Sequence, residues 1–311
     1  MRGQAATDPS KPMPNESCAA ARLARDRLAR HDAPFVWQEV ARRLAERLPL
    51  LRLQPRCALD LGCAWGDGLA LLRQRYPEAE LLGIEPSPRL AERARQRNRP
   101  RGWMQRLRAG PACRVLDAEL DCALPSTQGA AQLLWSNLAL CWAADPAAVL
   151  GAWQRMLLPD GALMFTAFGP DTLRELRTPE VAGLGMRARS WMDMHDLGDL
   201  LVHQGFADPV MDMELLQLRW ADADSALREL ALLGRVPHAQ AYAGLRTPRN
   251  WQRLRDWLQA RAGASGHGQV ELSFEIVYGH AFKPATSRAS QGGVASIGLE
   301  QIGGRRASRP G

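Results

Sequence analysis

The sequence has 311 residues, and 46% of them are hydrophobic, which is enough for a large α/β domain with a buried core. No uncharged apolar run of about 18 residues occurs, and the start of the chain lacks the pattern of a secretory signal, so we expect a cytoplasmic protein without a membrane span. The net charge of +7 comes from 40 basic residues, nearly all arginine, a bias that coding preference explains as readily as phosphate binding does.

Both ends of the chain have the composition of flexible segments. Residues 1 to about 17 and 284–311 are rich in Gly, Ser, Pro, Ala and Arg and show little periodicity. We therefore predict a flexible N-terminal segment over 1–30, one domain over 31–283 and a flexible tail over 284–311.

Helices and strands alternate through the first half of the domain. Apolar residues at helical spacing predict a helix from Phe35 to Leu48. Ser87 and Asp145 are predicted helix caps, each followed by a proline suited to the first turn. The predicted strands cover 56–62, 79–85, 113–119, 130–137 and 161–169, and the helices between them cover 66–76, 87–98 and 145–157. This rhythm predicts a parallel sheet covered on both faces.

The rhythm changes after Gly169. A helix is predicted over 193–206, with Asp193 at its start and Gly205 just past its end. Two further strands are predicted over 209–220 and 269–282, separated by about fifty residues that contain two helical stretches. We predict a seven-stranded, mostly parallel sheet with an insertion over about 220–266, which serves as a lid or substrate element or as a packing extension.

A glycine-rich turn follows the first strand in the stretch "ALDLGCAWGDG", residues 58–68. Gly62 and Gly66 allow a ligand to approach the backbone closely, and Asp60 can accept hydrogen bonds from turn amides or reach a cationic amino group of the cofactor. Strand, glycine turn and helix in this order indicate a nucleotide-cofactor site.

Acidic residues also end the next two predicted strands. Glu85 lies about twenty residues after the first glycine, where a carboxylate can accept hydrogen bonds from both ribose hydroxyls. Asp117, with Ala118 beside it, is placed to reach an adenine amino group. We expect the three strand ends to lie side by side.

The turn resembles the first motif of class I S-adenosylmethionine-dependent methyltransferases, D-x-G-x-G-x-G, with Ala64 in place of the middle glycine. A dinucleotide turn would instead read G-x-G-x-x-G and receive a pyrophosphate, which disfavours an acidic residue just before it. If position 64 requires a positive φ, alanine costs about 1 kcal/mol. Trp65 either shields the cofactor or is an aromatic residue without a ligand.

Four later stretches narrow the resemblance: "SNLALCW" (136–142), "FGPDTLRELR" (168–177), "MDMHDLGDLLVHQGFADPVMDME" (192–214) and "YGHAFKP" (278–284). Together they resemble the malonyl-acyl-carrier-protein O-methyltransferases of biotin synthesis, over roughly residues 30–284. The resemblance implies a Rossmann-like class I methyltransferase fold and S-adenosylmethionine as cofactor. It also implies methylation of the free carboxylate of a malonyl thioester on acyl carrier protein or coenzyme A. Since that carboxylate is already ionised at pH 7, no general base is expected.

Three residues are candidates for positioning the substrate. Asn137, after the fourth strand, is expected to contact the cofactor or the substrate, or to be a capping residue. Arg174 and Arg177 are candidates for a fork on the malonyl carboxylate, or are solvated arginines. Three other polar residues are expected to be structural: Thr172, His195 and His280.

The stretch from Arg89 to Arg108 is dense in arginine. Its region around Arg93 and Arg97 is either a solvated face or a docking patch for an acidic carrier protein. We expect no nucleic-acid partner, since "SNLA" lacks the N-P-P-aromatic signature, and we expect no membrane partner and a monomer. The six cysteines contain no C-x-x-C pair, which favours buried free thiols over a metal site.

Two alternatives stay open. A complex I assembly factor that hydroxylates an arginine shares much of this pattern, so a hydroxylase or assembly role is the nearest rival. A protein that binds the cofactor without turnover is the other, because Ala64 and Trp65 depart from the motif.

Overall fold

The computed structural model describes residues 14–100, 110–121, 127–184, 189–233, 247–264 and 268–285. Residues 1–13 of the predicted flexible N-terminal segment, and most of the predicted tail, lie outside these ranges, as do Cys122 and residues 101–108 of the arginine-dense stretch.

Helices and strands alternate in the first part of the chain, as predicted. In chain order they are α1 (Pro14–Leu28), α2 (Phe35–Arg47), β1 (Cys57–Leu61), α3 (Asp67–Arg75), β2 (Glu80–Glu85), α4 (Pro88–Asn98) and β3 (Cys113–Asp117).

The second part begins in the same rhythm and ends with the two long strands that were predicted. It contains β4 (Ala131–Ser136), α5 (Pro146–Met156), β5 (Leu157–Phe168), α6 (Pro179–Gly183), α7 (Met194–His203), β6 (Ala207–Trp220), α8 (Ala223–Leu232), α9 (Pro248–Ala264) and β7 (Val270–Phe282). Short 3₁₀ turns occur at Leu48–Leu51, Leu140–Trp142 and Arg174–Leu176.

The strands form one seven-stranded sheet in the order β3-β2-β1-β4-β5-β7-β6. Strands β1 to β5 pair in parallel, and β7 runs antiparallel to both of its neighbours. The predicted seven-stranded, mostly parallel sheet is therefore confirmed. Since β1 to β5 run the same way, their C-terminal ends share one edge of the sheet, here called the carboxyl edge.

The core lies on both faces of the central strands. Eight consecutive residues of β5 are buried, which is the pattern of a strand covered on both sides. Trp135 of β4, Trp153 of α5 and Phe274 of β7 are among the largest fully buried side chains. The indole N–H of Trp153 donates to the carbonyl of Leu120 at 3.0 Å, so this polar group is satisfied inside the core.

Three predicted helix caps are confirmed. The Ser87 hydroxyl accepts the Leu90 amide N–H at the start of α4, and the Asp145 carboxylate accepts two amides of α5. Asp193 does the same for α7, and Gly205 follows that helix with a φ of 84°. Each side chain satisfies amides that the first helical turn leaves free.

The structure differs from the prediction at the N-terminus, where Pro14–Leu28 is a helix rather than a flexible segment. Its second half is rich in alanine and arginine, both good helix formers. Leu28 and Arg25 are buried, so the helix is held by tertiary contacts as well.

The insertion between β6 and β7 contains the two predicted helices. Arg255 of α9 pairs with Asp224 of α8 at 2.6 Å, and Gln259 accepts the Ala223 amide at 3.2 Å. Leu254 and Leu258 of α9 are buried. These contacts tie the described parts of the insertion to each other, and its function as a lid or packing extension stays a prediction.

Candidate active site

The turn between β1 and α3 has three residues with positive φ: Gly62 at 75°, Ala64 at 46° and Gly66 at 83°. A side chain at Gly62 would collide with Ala139, and one at Gly66 would meet the Ala94 backbone at 2.9 Å. Both glycines are thus required by conformation and by space. Ala64 adopts the left-handed region that the sequence analysis considered, at a cost of about 1 kcal/mol.

A pocket opens beside this turn at the carboxyl edge. Its walls combine the turn with aromatic side chains from α2 and β4. They consist of Trp37, Asp60, Gly62, Cys63, Ala64, Trp65, Asp67, Gly68, Trp135 and Asn137. The pocket therefore brings together four of the predicted cofactor residues: Asp60, Gly62, Ala64 and Asn137.

Two buried polar atoms at this pocket have no hydrogen-bond partner among the described residues: Oδ2 of Asp60 and the indole nitrogen of Trp135. Both atoms lie close to the position that a Cβ atom on residue 68 would occupy. Because residue 68 is glycine, this space stays open. Buried polar atoms are normally paired, and these two fit a bound group that donates to the carboxylate and accepts from the indole.

The pKa of Asp60 is raised well above its ordinary value of 3.8. Burial is the main cause, and the negative charges of Glu85 and Asp67 add to it, while the Leu69 amide opposes it. A cation placed against Oδ2 would reverse this balance, because an opposite charge favours the ionised carboxylate.

Trp65 is fixed in the wall of the pocket. Its indole N–H donates to the carbonyl of His31 at 2.9 Å, and its ring meets that of Trp37 edge to face with 6.3 Å between centroids. Its side chain is buried. The indole thus lines the pocket and is held from outside it.

Glu85 does not stand free at the end of β2. Its two oxygens accept the guanidinium of Arg25 from α1, with Arg25 Nε to Oε1 at 2.9 Å and a second bond from Nη2 to Oε2. They also accept the backbone amides of Ala64 and Ser87, each at 2.9 Å. Both residues are almost fully buried, and although burial opposes it, the pKa of Arg25 is raised because Glu85 favours its charge.

Helix α1 therefore covers the carboxylate that was predicted to accept the ribose hydroxyls. The Arg25 guanidinium also lies 5.3 Å from the ring centroid of Trp142, and Asp26 accepts the Ser87 hydroxyl. A ribose can reach Glu85 only if Arg25 gives way.

Asp117, the third predicted acidic residue at a strand end, is exposed, whereas Asp60 and Glu85 are buried. Asp117 is in register with Glu85 on the neighbouring strand. The amide of Ala118 donates to the carbonyl of Glu85 at 3.3 Å. The three strand ends are thus adjacent, as expected, although Glu85, Asp117 and Ala118 lie outside the described pocket wall.

Asn137 follows β4 and lines the pocket with 8% of its surface exposed. Its Nδ2 donates to the carbonyl of Trp37 at 3.0 Å, and its Oδ1 accepts the Thr166 hydroxyl at 2.9 Å. The amide links α2, β4 and β5 at the carboxyl edge, and one N–H of Nδ2 has no described partner.

Arg174 and Arg177 are not part of the pocket wall. Arg174 is about half exposed and lies near two carboxylates, Asp171 at 3.4 Å and Glu175 at 3.7 Å. Arg177 donates to the carbonyl of Thr172. Both guanidinium groups are therefore engaged by their own loop.

The three polar residues that were expected to be structural make local contacts. The Thr172 hydroxyl donates to the carbonyl of Glu275 at 2.9 Å, and the His195 amide donates to the α7 cap Asp193. His280 of β7 packs edge to face on Phe282, and burial lowers its pKa.

The described part of the basic stretch is largely used within the chain. Arg93 donates to the carbonyls of Ala29 and His31 and pairs with Asp32 at 2.7 Å. Arg97 pairs with Asp67 at 2.6 Å. Arg93 thereby connects α4 to the segment between α1 and α2.

Four cysteines are described, and all are free thiols, two of them buried. Burial raises the pKa of Cys141 to about 11, so this thiol is protonated and unreactive at neutral pH. Within the described ranges, no group of three or more His, Cys, Asp or Glu residues is placed to hold a metal ion. Nor does any described helix have the length and apolarity needed to cross a membrane.

Sequence reasoning missed three residues of this site. Arg25 lies in the segment predicted to be flexible, and its partner is sixty positions away, so no local pattern indicated the pair. The sequence pattern predicts that Trp37 and Trp135 are core aromatic residues of a helix and a strand. Only the closeness of Trp135 to the glycine turn distinguishes it.

Known proteins that are similar to this chain in sequence and in fold include methyltransferases. A family profile described as "Methyltransferase domain" matches residues 59–165. A protein of Laribacter hongkongensis named malonyl-[acyl-carrier protein] O-methyltransferase is 39% identical over 81% of this chain and 84% of its own length. A protein of the same name from Gallionella capsiferriformans is 38% identical over 86% of this chain and 90% of its own. A crystal structure of a putative methyltransferase from Bacillus halodurans has a TM-score of 0.53 at 13% identity, covering 78% of this chain and 98% of that one, and shares the fold.

Proposed function

The chain belongs to the malonyl-[acyl-carrier protein] O-methyltransferase family, and from this membership we propose that it methylates the free carboxylate of a malonyl thioester carried by acyl carrier protein. The methyl donor is S-adenosylmethionine, and the product is the methyl ester, an early compound of biotin synthesis. The observation that carries the proposal is the pair of unpartnered atoms, Asp60 Oδ2 and Trp135 indole N–H, beside the glycine turn.

The proposed cofactor site is built from the strand ends. Asp60 receives the amino group, and the turn of Gly62, Ala64 and Gly66 allows close approach of the backbone. Glu85 accepts the ribose hydroxyls once Arg25 has left it. Asp117, Ala118 and Asn137 complete the proposed set at the adenine and the methyl-transfer ends.

S-adenosylmethionine, when bound, supplies an electrophilic methyl group on a positively charged sulfur. The chain holds the acceptor carboxylate in line and excludes water from the site. Trp37, Trp65 and Trp135 give the pocket an aromatic wall, which helps to exclude water. An ionised carboxylate needs no proton removed, so no general base is required.

The names of the similar proteins favour one of the alternative functions, methyl transfer. The relatives at 39% and 38% identity are named malonyl-[acyl-carrier protein] O-methyltransferases, which favours methyl transfer over the hydroxylase or assembly role. Binding without turnover is disfavoured by the same names. The positive φ of Ala64 and the bond of Trp65 to His31 support an intact turn for cofactor binding.

Incubation of the purified protein with malonyl-acyl carrier protein and S-adenosylmethionine tests the function. We expect a carrier protein heavier by one methyl ester, together with one S-adenosylhomocysteine per ester formed, measured by mass spectrometry and chromatography. Acetyl-acyl carrier protein is the matched control and gains no methyl group. Loss of the donor without ester formation, or no donor binding at all, would contradict the proposal.

The carrier protein is proposed to dock on α4, and the protein is proposed to work as a cytoplasmic monomer. Because Arg93 and Arg97 are paired internally, the free positive charge of the described part of this helix region resides more in Arg89 and Arg99, which are exposed. An acidic partner is attracted by such charges, mainly through a faster encounter.

A charge reversal tests the docking surface. We expect Arg89→Glu with Arg99→Glu to lower kcat/KM for malonyl-acyl carrier protein about tenfold at low salt, while kcat/KM for malonyl-coenzyme A changes little. Arg56→Glu with Arg155→Glu, two exposed arginines outside α4 and outside β3, the strand on which α4 packs, serves as the control. Equal loss in both double variants would assign the effect to net charge rather than to α4.

A further inference from the structure

Arg189 is a half-buried arginine at the carboxyl edge that the sequence analysis did not single out. Its Nη1 donates to the carbonyl of Cys141 at 3.1 Å. Its guanidinium carbon lies 4.6 Å from the ring centroid of Trp191, which places the cation on the indole face. These two contacts hold the group in one orientation and use one of its five N–H donors.

The charge of Arg189 has no described counter-ion. No carboxylate in the described ranges forms an ion pair with it, unlike Arg25 with Glu85 and Arg43 with Glu39 and Glu214. Burial lowers its pKa, and Cys141, a protonated thiol, is the one titratable neighbour that opposes the shift. The guanidinium stays charged at neutral pH, so its position favours an anion supplied from outside.

Its neighbours connect Arg189 to the pocket. Cys141 lies in the 3₁₀ turn that follows Asn137 after β4. The ring of Trp191 lies 5.4 Å from that of Phe168, the last residue of β5, and Phe168 lies 6.2 Å from Trp37 in the pocket wall. The turn after β4 and this row of rings thus connect Arg189 to the residues of the pocket wall at the carboxyl edge.

Arg174 and Arg177, which the sequence suggested as partners of the malonyl carboxylate, already have partners within their own loop. Arg174 faces Asp171 and Glu175, and Arg177 is bonded to the carbonyl of Thr172. An incoming carboxylate would compete with acidic residues at Arg174, and it would meet no such competitor among the described residues at Arg189.

We propose that Arg189 binds the carboxylate of the malonyl group, the methyl acceptor, and so distinguishes malonyl from uncharged acyl thioesters. This inference rests on the proposed function. One carboxylate oxygen accepts from the free N–H groups of Arg189, and the other forms the bond to the methyl carbon. The carbon–sulfur bond breaks, its electron pair stays on sulfur, and Arg189 keeps its proton throughout.

The same pairing accounts for release of the product. The ester carries no charge, so it loses the charge-assisted bond that held the acid. Arg189 therefore favours the substrate over the product as well as over acetyl thioesters.

Equilibrium binding in the presence of S-adenosylhomocysteine tests the inference without turnover. Dissociation constants are measured for malonyl-pantetheine and acetyl-pantetheine with the wild type, Arg189→Gln, Arg189→Lys and the control Arg155→Gln. Arg155 is an exposed arginine at the C-terminal end of α5, away from the carboxyl edge. We expect the wild type and the control to prefer the malonyl compound by about tenfold or more.

In Arg189→Gln the preference is expected to fall to about one, and in Arg189→Lys to an intermediate value, since lysine keeps the charge and loses the fork. An unchanged preference in a folded Arg189→Gln protein, or no preference in the wild type, would overturn the inference. If Arg189→Gln does not fold, a wild-type preference in Arg189→Lys also overturns it. Ester formation by the wild type is measured alongside, and its absence would instead contradict the proposed function.

Discussion

At the scale of single residues, the buried carboxylate of Asp60 has the largest consequence. Its raised pKa means that the native protein retains a proton at pH values where the unfolded chain has lost it. Above the ordinary value of 3.8, folding therefore becomes less favourable with rising pH, until the native group is ionised as well.

Asp60→Asn is expected to stabilise the unliganded protein relative to the wild type at pH 8, with a smaller difference at pH 5. The same change is expected to weaken S-adenosylhomocysteine binding by about tenfold or more, because a charge-assisted bond is lost. Urea unfolding at both pH values and calorimetry measure the two effects. A stability difference that does not change with pH would contradict the titration of Asp60.

Ala64 is the departure from the glycine motif, and its φ of 46° makes the departure testable. We expect Ala64→Gly to change the free energy of unfolding by less than about 1 kcal/mol, since relief of strain is offset by the freedom of glycine in the unfolded chain. Ala64→Val, with a β-branched side chain at the same φ, is expected to cost about 2 kcal/mol or more. Urea unfolding distinguishes the two, and equal effects would show that strain at this position is unimportant.

At the scale of elements, α1 is expected to compete with the cofactor for Glu85. The buried pair of Arg25 and Glu85 holds α1 against the end of β2, and leaving Glu85 without its guanidinium partner is expected to cost about 3 kcal/mol in the unliganded protein. A ligand that supplies hydroxyl donors to Glu85 removes that cost.

Arg25→Met is therefore expected to lower the stability of the unliganded protein and to tighten S-adenosylhomocysteine binding about tenfold. Calorimetry measures the affinity, and Arg27→Met, an exposed arginine of the same helix, is the control. Weaker binding in Arg25→Met alone would show that Arg25 helps to hold the cofactor instead of competing with it.

The elements also show what local patterns predict and what they do not. Ser87, Asp145 and Asp193 were assigned as caps because a cap acts on amides two or three residues away. The helical state of α1 was missed because it depends on a partner in β2, far along the chain. The start of β5 at Leu157 rather than Gly161 has a similar origin, since Leu157 pairs with Ala131 of β4.

At the scale of the whole molecule, the sheet was predictable because strand and helix patterns alternate strongly. The adjacency of Asp60, Glu85 and Asp117 was predictable for the same reason, since the strand order β3-β2-β1 brings the three strand ends together. Arg189 could not be singled out from the sequence as a binding candidate. Its candidacy depends on having no counter-ion among the described residues, which no sequence pattern indicates.

Binding of S-adenosylhomocysteine is expected to stabilise the whole domain. At about one hundred times its dissociation constant, the ligand adds about 2.7 kcal/mol, which corresponds to a rise in Tm of about 5 °C or more. Scanning calorimetry measures the shift, with adenosine as a weaker-binding control. No shift at that concentration would contradict binding to the native state.

The position of β7 between β5 and β6 has a consequence for biosynthesis. Strand β6 leaves the ribosome before β7, and its ladder partner is separated from it by the whole insertion. Until β7 emerges, the nascent chain carries β6 without its ladder partner, a form open to aggregation and to chaperones. Closure of the sheet is thus a late event of synthesis, completed when β7 enters the gap.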